Sequence, residues 1–350
     1  MARLLPATCL VLLAATAARA ASISWVGGAV GDWNQPANWS GAAAPGPLDD
    51  ATIASELVVV YSTDPLVSVR SLSLGGAGAV LRISTGLAVS SGLDVLGGAA
   101  IQVSTPLTIT AGIFTLHPGS SMTFYGPAGT MSPGAVFISA GFFDLRAGST
   151  VTIKGRGYAG GAGAAAGSGP GGGGAGSVVM GGGGGGHGGA GGSGRGGSGG
   201  GPAGDAMPAV DSGSGGGGTP SADGGGGGGF FQVDAATASL DGLLEADGDP
   251  GVTLGLQGGG GGAGGSIVVL AQVITGSGTL SARGGDGGAG ANFGGGGGGG
   301  GRVWIQESSG YSIFHSALNI LVNGGSFGAG VASGGGGSGG AAFMDPRHWT

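Results

Sequence analysis

Few side chains in this sequence have the type and spacing for acid–base chemistry. The carboxylates between residues 56 and 157 are Glu56, Asp64, Asp94 and Asp144. Asp144, Arg146 and the single lysine, Lys154, could share one strand face. A glycan-active enzyme would need clustered carboxylates with a basic partner in one groove. A solvated strand edge explains the same residues, so we expect no catalytic residue and no enzyme.

The sequence offers equally few residues with the spacing of metal ligands. The histidines, His117, His187, His315 and His348, lie far apart without the spacing of zinc ligands. Asp247, Asp249 and Asp286 are weak calcium candidates, because they fall at equivalent positions of a repeat where carboxylates could bridge neighbouring units. Aspartates that form turns explain them as well, so no cofactor is expected.

Two further patterns indicate binding or modification rather than catalysis. Thr108-Ile109-Thr110 and Thr150-Val151-Thr152 place paired threonines on one strand face, as an ice-binding surface would. High β-propensity explains threonine there too. Asn38, in Asn38-Trp39-Ser40, is the one glycosylation candidate if the chain is eukaryotic.

The composition excludes several classes of protein. Glycine fills 96 of 350 positions, yet runs such as residues 294–301 break the Gly-X-Y period of collagen. An apolar fraction of 40% is too high for a fully disordered chain. Without Arg3 and Arg19, nine basic side chains face 18 acidic ones, which makes nucleic acid and anionic membranes poor partners.

Residues 1–20 have the pattern of a secretory signal peptide. Arg3 precedes an apolar run from Leu4 to Ala17, and Ala18-Arg19-Ala20 resembles a cleavage site. That run is shorter than the ~20 residues needed to span a bilayer, and no later segment qualifies. We therefore predict a secreted or cell-surface chain without a membrane span. The one cysteine, Cys9, lies inside the signal, so disulfides are not expected.

The remaining chain is predicted to be all-β. Residues 56–157 contain short alternating segments, such as Leu93-Asp94-Val95 and Val151-Thr152-Ile153, separated by Gly, Pro or Ser. Coils of about 20 residues would stack these strands into a β-solenoid resembling a parallel β-helix. A β-sandwich of 10 to 12 strands is the competing interpretation.

Residues 230–350 repeat with a period of about 36 residues. Copies begin at Phe230, Ser266, Arg302 and Ala341, and each joins strands to a glycine tract. Residues 158–229 would be a longer glycine-rich excursion of the same kind. Flexible linkers have no reason to keep phase, so we expect the tracts to stack as extended, polyproline II segments.

Residues 21–55 are predicted to form an N-terminal cap. They carry Trp25, Trp33 and Trp39, which we expect to cover the first coil rather than to bind sugar. The opposite end reaches only a truncated fourth repeat, from Ala341 to Met344, and an uncovered coil offers unpaired backbone groups to another chain. End-to-end self-association into filaments is therefore expected.

Two parts of the sequence resemble known families. Gly31-Asp32-Trp33-Asn34 and the run from Pro36 to Gly41 resemble the opening of passenger β-helix regions in bacterial autotransporter-like surface proteins. Residues 158–340, with glycine runs at 181–186 and 294–301, resemble large glycine-rich secreted surface proteins of bacteria and protists. The resemblance implies a surface or matrix role and transfers no catalytic residue.

These observations favour a secreted structural, cell-surface or extracellular matrix protein. An adhesin or carbohydrate-binding surface module, with glycans or other surface proteins as partners, is the alternative. A glycan-active β-helix enzyme or an ice-binding protein is the third.

Overall fold

A computed structural model describes most of the chain. The described residues are 20–54, 59–62, 66–84, 86–104, 107–124, 135–204, 211–308, 317–331 and 335–345. Residues 1–19 of the predicted signal peptide, with Cys9, lie outside the described residues.

The described residues form strands, one 3₁₀ turn at Pro36–Asn38 and no α-helix. In chain order the strands are β1 (Ser22–Ser24), β2 (Val30–Asp32), β3 (Asp50–Ile53), β4 (Val59–Ser62), β5 (Leu66–Val69), β6 (Ser71–Leu74), β7 (Val80–Ile83), β8 (Gly86–Val95), β9 (Ala100–Val103), β10 (Leu107–Leu116), β11 (Ser121–Phe124), β12 (Ala135–Leu145), β13 (Thr150–Thr152), β14 (Phe230–Leu240), β15 (Leu243–Glu245), β16 (Thr253–Leu254), β17 (Gln257–Gly258), β18 (Ser266–Thr275), β19 (Thr279–Ser281), β20 (Arg302–Glu307), β21 (Asn319–Leu321) and β22 (Ala341–Asp345).

Two long sheets run the length of the molecule. The first contains 11 strands in the order β1-β3-β6-β8-β10-β12-β14-β18-β20-β22, with β5 also paired to β8, and the second contains nine in the order β2-β4-β7-β9-β11-β13-β15-β19-β21. Neighbouring strands in both sheets are parallel, and β16 and β17 form the one antiparallel pair among the described strands. Because each coil adds a strand to each sheet, the fold is the expected parallel β-solenoid. The sandwich interpretation is wrong, since sandwiches are built from antiparallel sheets.

The strand register gives the length of each coil. Paired residues lie 21 residues apart from Leu93 to Phe114 and 29 apart from Phe114 to Phe143. The next pair, Phe143 and Ala238, is 95 residues apart, and the pair after it, Ala238 and Ile274, is 36 residues apart. The long glycine-rich segment therefore leaves and re-enters without interrupting the ladder.

Alternating side chains build a narrow core between the sheets. In β8, Leu87, Val89, Leu93 and Val95 are buried, and two exposed residues at Ser90-Ser91 separate the two pairs. The long first-sheet strands thus have two halves, as β5 and β6 show by running as separate strands against β8. Aromatic rings of neighbouring coils contact one another: Phe114 and Phe143 meet edge to face with centroids 5.6 Å apart. Burial of this apolar column is the main stabilising term.

The glycine tracts leave the solenoid at one recurring corner. Each begins after a short second-sheet strand (β13, β15, β19 or β21) and returns at the start of a first-sheet strand (β14, β18, β20 or β22). We call the described tract residues between 155 and 229, 246 and 265, 282 and 301, and 322 and 340 the glycine bundle. The outward and returning tracts are therefore placed side by side in successive coils.

Backbone hydrogen bonds in the glycine bundle recur every three residues. The returning tract donates from Gly295, Gly298 and Gly301 to the carbonyls of Gly288, Gly285 and Ala282 in the outward tract. Within residues 182–186, successive N–H groups donate to three different tracts. Gly182 and Gly185, three residues apart, both donate to the tract at 258–261. Gly183 and Gly186 donate to the tract at 171–174, and Gly184 donates to Gly192. Three residues per turn is the period of polyproline II. The assignment of the tracts to that conformation stays a prediction.

The tracts approach too closely for side chains. A Cβ added at Gly298 would lie 2.0 Å from the carbonyl oxygen of Gly262, and one added at Gly260 would lie 2.0 Å from that of Gly183. Both distances are far inside van der Waals contact, so glycine at these positions is a packing requirement.

Candidate functional site

One group of acid–base side chains spans three consecutive coils. Asp94 and Asp144 both lie in register with Thr115, on either side of it. His117 Nε2 lies 3.1 Å from Asp94 Oδ1, Arg146 Nη1 lies 3.1 Å from His117 Nδ1, and Arg146 Nε donates to Asp144 Oδ2 over 2.8 Å. Because arginine can only donate hydrogen bonds, Nδ1 of His117 accepts the bond from Arg146. Nε2 of His117 therefore carries the hydrogen and donates it in a hydrogen bond to Asp94.

This chain of bonds joins coils rather than presenting a reactive pair. Asp94 and Asp144 lie two strand spacings apart, about 10 Å along the solenoid. His117 and Arg146 bridge the interval, so both carboxylates already have cationic or donor partners. Of the predicted trio, Lys154 lies elsewhere, 3.8 Å from Glu245 Oε1. Glu56 and Asp64 lie outside the described residues.

Two of the calcium candidates, Asp247 and Asp286, line one cavity with Lys154 and Arg283. Asp247, whose side chain is 5% exposed, accepts from the Ser281 hydroxyl at 2.6 Å and the Arg283 backbone N–H at 2.7 Å. Its other oxygen is 3.0 Å from Arg283 Nη2. Asp286 Oδ1 accepts from the Ser326 N–H at 2.7 Å. Asp247 and Asp286 thus tie their coils to the next ones.

Asp249 has a different environment. Burial raises the pKa of its carboxyl group, while the nearby charges of Lys154 and Arg156 act in the opposite direction. Among the described residues, no group of three or more His, Cys, Asp or Glu side chains could hold a metal ion. His315 and His348 are not among them.

The three tryptophans of the predicted cap form one buried cluster. Trp25, Trp33 and Trp39 are 5%, 2% and 2% exposed, and the Trp39 ring meets the other two edge to face at centroid distances of 5.2 and 4.8 Å. Trp39 Nε1 donates to the Trp33 carbonyl at 2.7 Å. Ser40 N–H donates to the Ser24 carbonyl, which covers the outer edge of β1. The rings are therefore buried at the start of the first sheet and do not line an exposed trough.

The glycosylation candidate Asn38 is part of the same cluster. Its Nδ2 donates to the Asp32 carbonyl at 2.9 Å, and its own carbonyl accepts from the N–H groups of Val26 and Gly27. A Cβ added at Gly31 would lie 2.8 Å from Asn38 Nδ2. The atom that a glycan would modify is thus engaged and closely surrounded in the folded chain.

The sequence interpretation missed a buried polar cluster around His187. His187 is 0% exposed, and its Nε2 lies 2.8 Å from Ser266 Oγ, which donates to the Asp211 carbonyl at 2.6 Å. Arg302 Nη1 lies 3.2 Å from His187 Nδ1 and is also buried. A lone histidine that interrupts a glycine run is the sequence signal that could have found it.

The hydrogen bonds define the chemical role of this cluster. The Ser266 hydroxyl donates to Asp211, so His187 Nε2 must donate to Ser266 Oγ and cannot act as its base. Burial, followed by the charge of Arg302, lowers the pKa of His187 to about 4. The neutral ring therefore joins the long excursion to the first residues of β18 and β20.

Polar contacts between neighbouring coils are general in the described residues. They include ion pairs and side-chain hydrogen bonds: Arg70 with Asp50, Arg82 with Gln102, Thr152 with Glu245, Ser277 with Asp241 and Ser221 with Gln257. The hydrogen bond from Arg70 lowers the pKa of Asp50. Such pairs fix the stacking register more than they add stability at an exposed surface.

The paired threonines are not stacked into a ladder of threonines. Thr110 lies between Ala88 and Ser139. Thr152 has Thr123 on one side but Glu245 on the other, so the threonine pair does not continue into the next coil. In the part of the chain that is described, no helix has the length and apolarity to cross a membrane. No family model, curated protein or solved structure matches this chain.

Proposed function

We propose that this chain is a secreted structural protein of a cell surface or extracellular matrix. The observation that carries the proposal is where the polar groups point: carboxylates, arginines and backbone amides join one coil or tract to the next. Asp247 with Arg283, and Gly298 with Gly285, are representative. A molecule built this way is stiff along its length. The signal peptide predicted at residues 1–20 supports export.

Self-association end to end is part of this proposal. The first sheet continues in register through β20 and β22, with Trp304 opposite Phe343. Among the described strands β22 pairs with β20 alone, so a parallel strand from another copy would extend the ladder at its outer edge. Burial of Trp25, Trp33 and Trp39 supports the cap proposed for the other end of the molecule, which would give the assembly one direction.

Negative-stain microscopy and light scattering of residues 21–350 test this function. The expected result is rods that lengthen into filaments as the protein concentration rises. Compact particles whose mass is that of one chain at every concentration would contradict the end-to-end contact.

A carbohydrate-binding surface module is the second candidate, favoured by a groove along the corner of the long strands. The groove consists of two adjoining cavities that share Ser139 and Ala140: Ser68 and Thr110 line one, and Asp234 and Gln306 line the other. Hydroxyl, amide and carboxylate groups of this kind hydrogen-bond to sugars. Retention on insoluble polysaccharides, lost in Ser139→Trp and kept in Ser277→Trp on another corner, would favour this function.

A further inference from the structure

The turns of the glycine bundle converge on one surface far from the solenoid. These turns lie at residues 177–180, 219–222, 252–257, 290–293 and 327–331. Hydrogen bonds that join them run from Gln257 Nε2 to the Val178 carbonyl (2.6 Å), from Ser221 Oγ to Gln257 Oε1 (2.6 Å), from Phe293 N to the Leu256 carbonyl (3.0 Å) and from Gly290 N to the Ala329 carbonyl (3.0 Å). Turns from distant parts of the sequence are thereby held as one surface.

That surface is apolar and exposed. Of 17 exposed large hydrophobic residues in the described chain, eight belong to these turns. They are Val178 (66% exposed), Val179 (56%), Met180 (38%), Val252 (43%), Leu254 (59%), Leu256 (53%), Phe327 (50%) and Val331 (89%), and we call them the turn surface. Tight turns favour Gly, Asn, Asp and Ser, so turn geometry does not account for these residues. A contiguous exposed apolar patch usually marks an interaction site.

The lack of a cluster of charged side chains on the described turn surface indicates what kind of partner it fits. The ionisable groups nearest these turns already have contacts: Arg195 lies over the Phe293 ring at 5.6 Å, and Asp223 Oδ1 accepts from the Gly163 N–H. The chain's single lysine, Lys154, lies near Glu245 at the solenoid. Lipid-binding surfaces combine apolar residues with Lys or Arg clusters, and the turn surface lacks that combination among its described residues. Its complement is therefore another uncharged apolar surface.

We propose that the turn surface binds the turn surface of a second copy of this chain. A two-fold contact pairs the same patch on both molecules, so an uncharged apolar patch is complementary to itself. This contact uses the edge of neither long sheet, so it is separate from the end-to-end association proposed above. It would join two solenoids through their glycine bundles.

Engineered cysteines test the contact directly, because the chain from residue 21 contains no cysteine. Val179→Cys should form a disulfide-linked dimer under mild oxidation at micromolar concentration. The matched control is Val273→Cys, in β18 on the flank of the solenoid, which is 40% exposed. The control should cross-link at least tenfold more slowly. Equal rates for the two variants would overturn the proposal.

Sedimentation velocity with paired variants gives an independent readout. Leu254→Ser with Leu256→Ser should weaken dimerisation at least tenfold, whereas Ile113→Ser with Val273→Ser on the solenoid flank should leave it unchanged. All four side chains are exposed, so no buried contact is lost, and circular dichroism checks the fold. A wild-type chain that stays monomeric, or that binds neutral phosphatidylcholine vesicles through Leu254 and Leu256, would overturn the second-copy contact.

Discussion

Trp25 and Trp39 share one buried cluster but differ in a single hydrogen bond. Trp39 Nε1 donates to the Trp33 carbonyl, whereas Trp25 Nε1 is buried without a partner among the described atoms. Trp39→Phe leaves a buried carbonyl unpaired and should lower the free energy of unfolding by about 1–3 kcal/mol more than Trp25→Phe, which removes a donor that has no bond. Urea unfolding of both variants measures the difference. Equal losses would mean that the Trp39 bond contributes nothing to the cap.

His187 should make stability depend on pH. Its pKa is lowered from 6.5 to about 4 in the folded chain, so between those values the unfolded chain binds more protons. The stabilisation is complete above pH 6.5 and is lost as pH falls to about 4, a loss of roughly 3 kcal/mol from this group.

Urea unfolding at several pH values between 4 and 7 measures this effect. In His187→Gln the same acid titration should be shallower, because glutamine keeps a donor and an acceptor but does not titrate. The carboxyl groups contribute equally to both proteins. Parallel curves for wild type and variant would contradict the assignment.

Among the elements, the glycine tracts make the sharpest prediction. Gly298→Ala places a Cβ 2.0 Å from the Gly262 carbonyl oxygen, so backbone must move, and overpacking of this kind costs about 1–3 kcal/mol. Gly201→Ala is the control, since a Cβ there meets nothing within 4 Å. Thermal unfolding should show a lower Tm for Gly298→Ala alone. A similar Tm for both variants would indicate that the tracts can separate at little cost.

For the whole molecule, we expect the solenoid and the glycine bundle to resist local opening together. The tract at 284–301 donates hydrogen bonds to three neighbouring tracts, so its amides should exchange far more slowly than in a free peptide of the same sequence. Amide exchange followed by NMR measures this directly. Exchange at the free-peptide rate would mean that the tracts are linkers and that the bundle adds no stiffness.

The amino-acid pattern alone determined much of the architecture. Alternating residues such as those of β8 predicted short strands, and the 36-residue spacing of Phe230, Ser266 and Arg302 matches the register of β14, β18 and β20. This succeeds because a solenoid is built from local repeats, so sequence period and coil length are the same quantity. The same pattern could not exclude a sandwich, because alternation gives one buried face in either fold.

Only the tertiary structure decided which distant residues meet. His187 reaches Arg302 across 115 positions, and Asp247 pairs with Arg283 of the next coil. The turns at residues 177–180 and 252–257 meet through the hydrogen bond from Gln257 Nε2 to the Val178 carbonyl, 79 positions away. A run of glycines has no side-chain pattern from which the neighbouring tract could be predicted. Backbone hydrogen bonds and close packing determine which tracts lie together, and both form only when the coils stack.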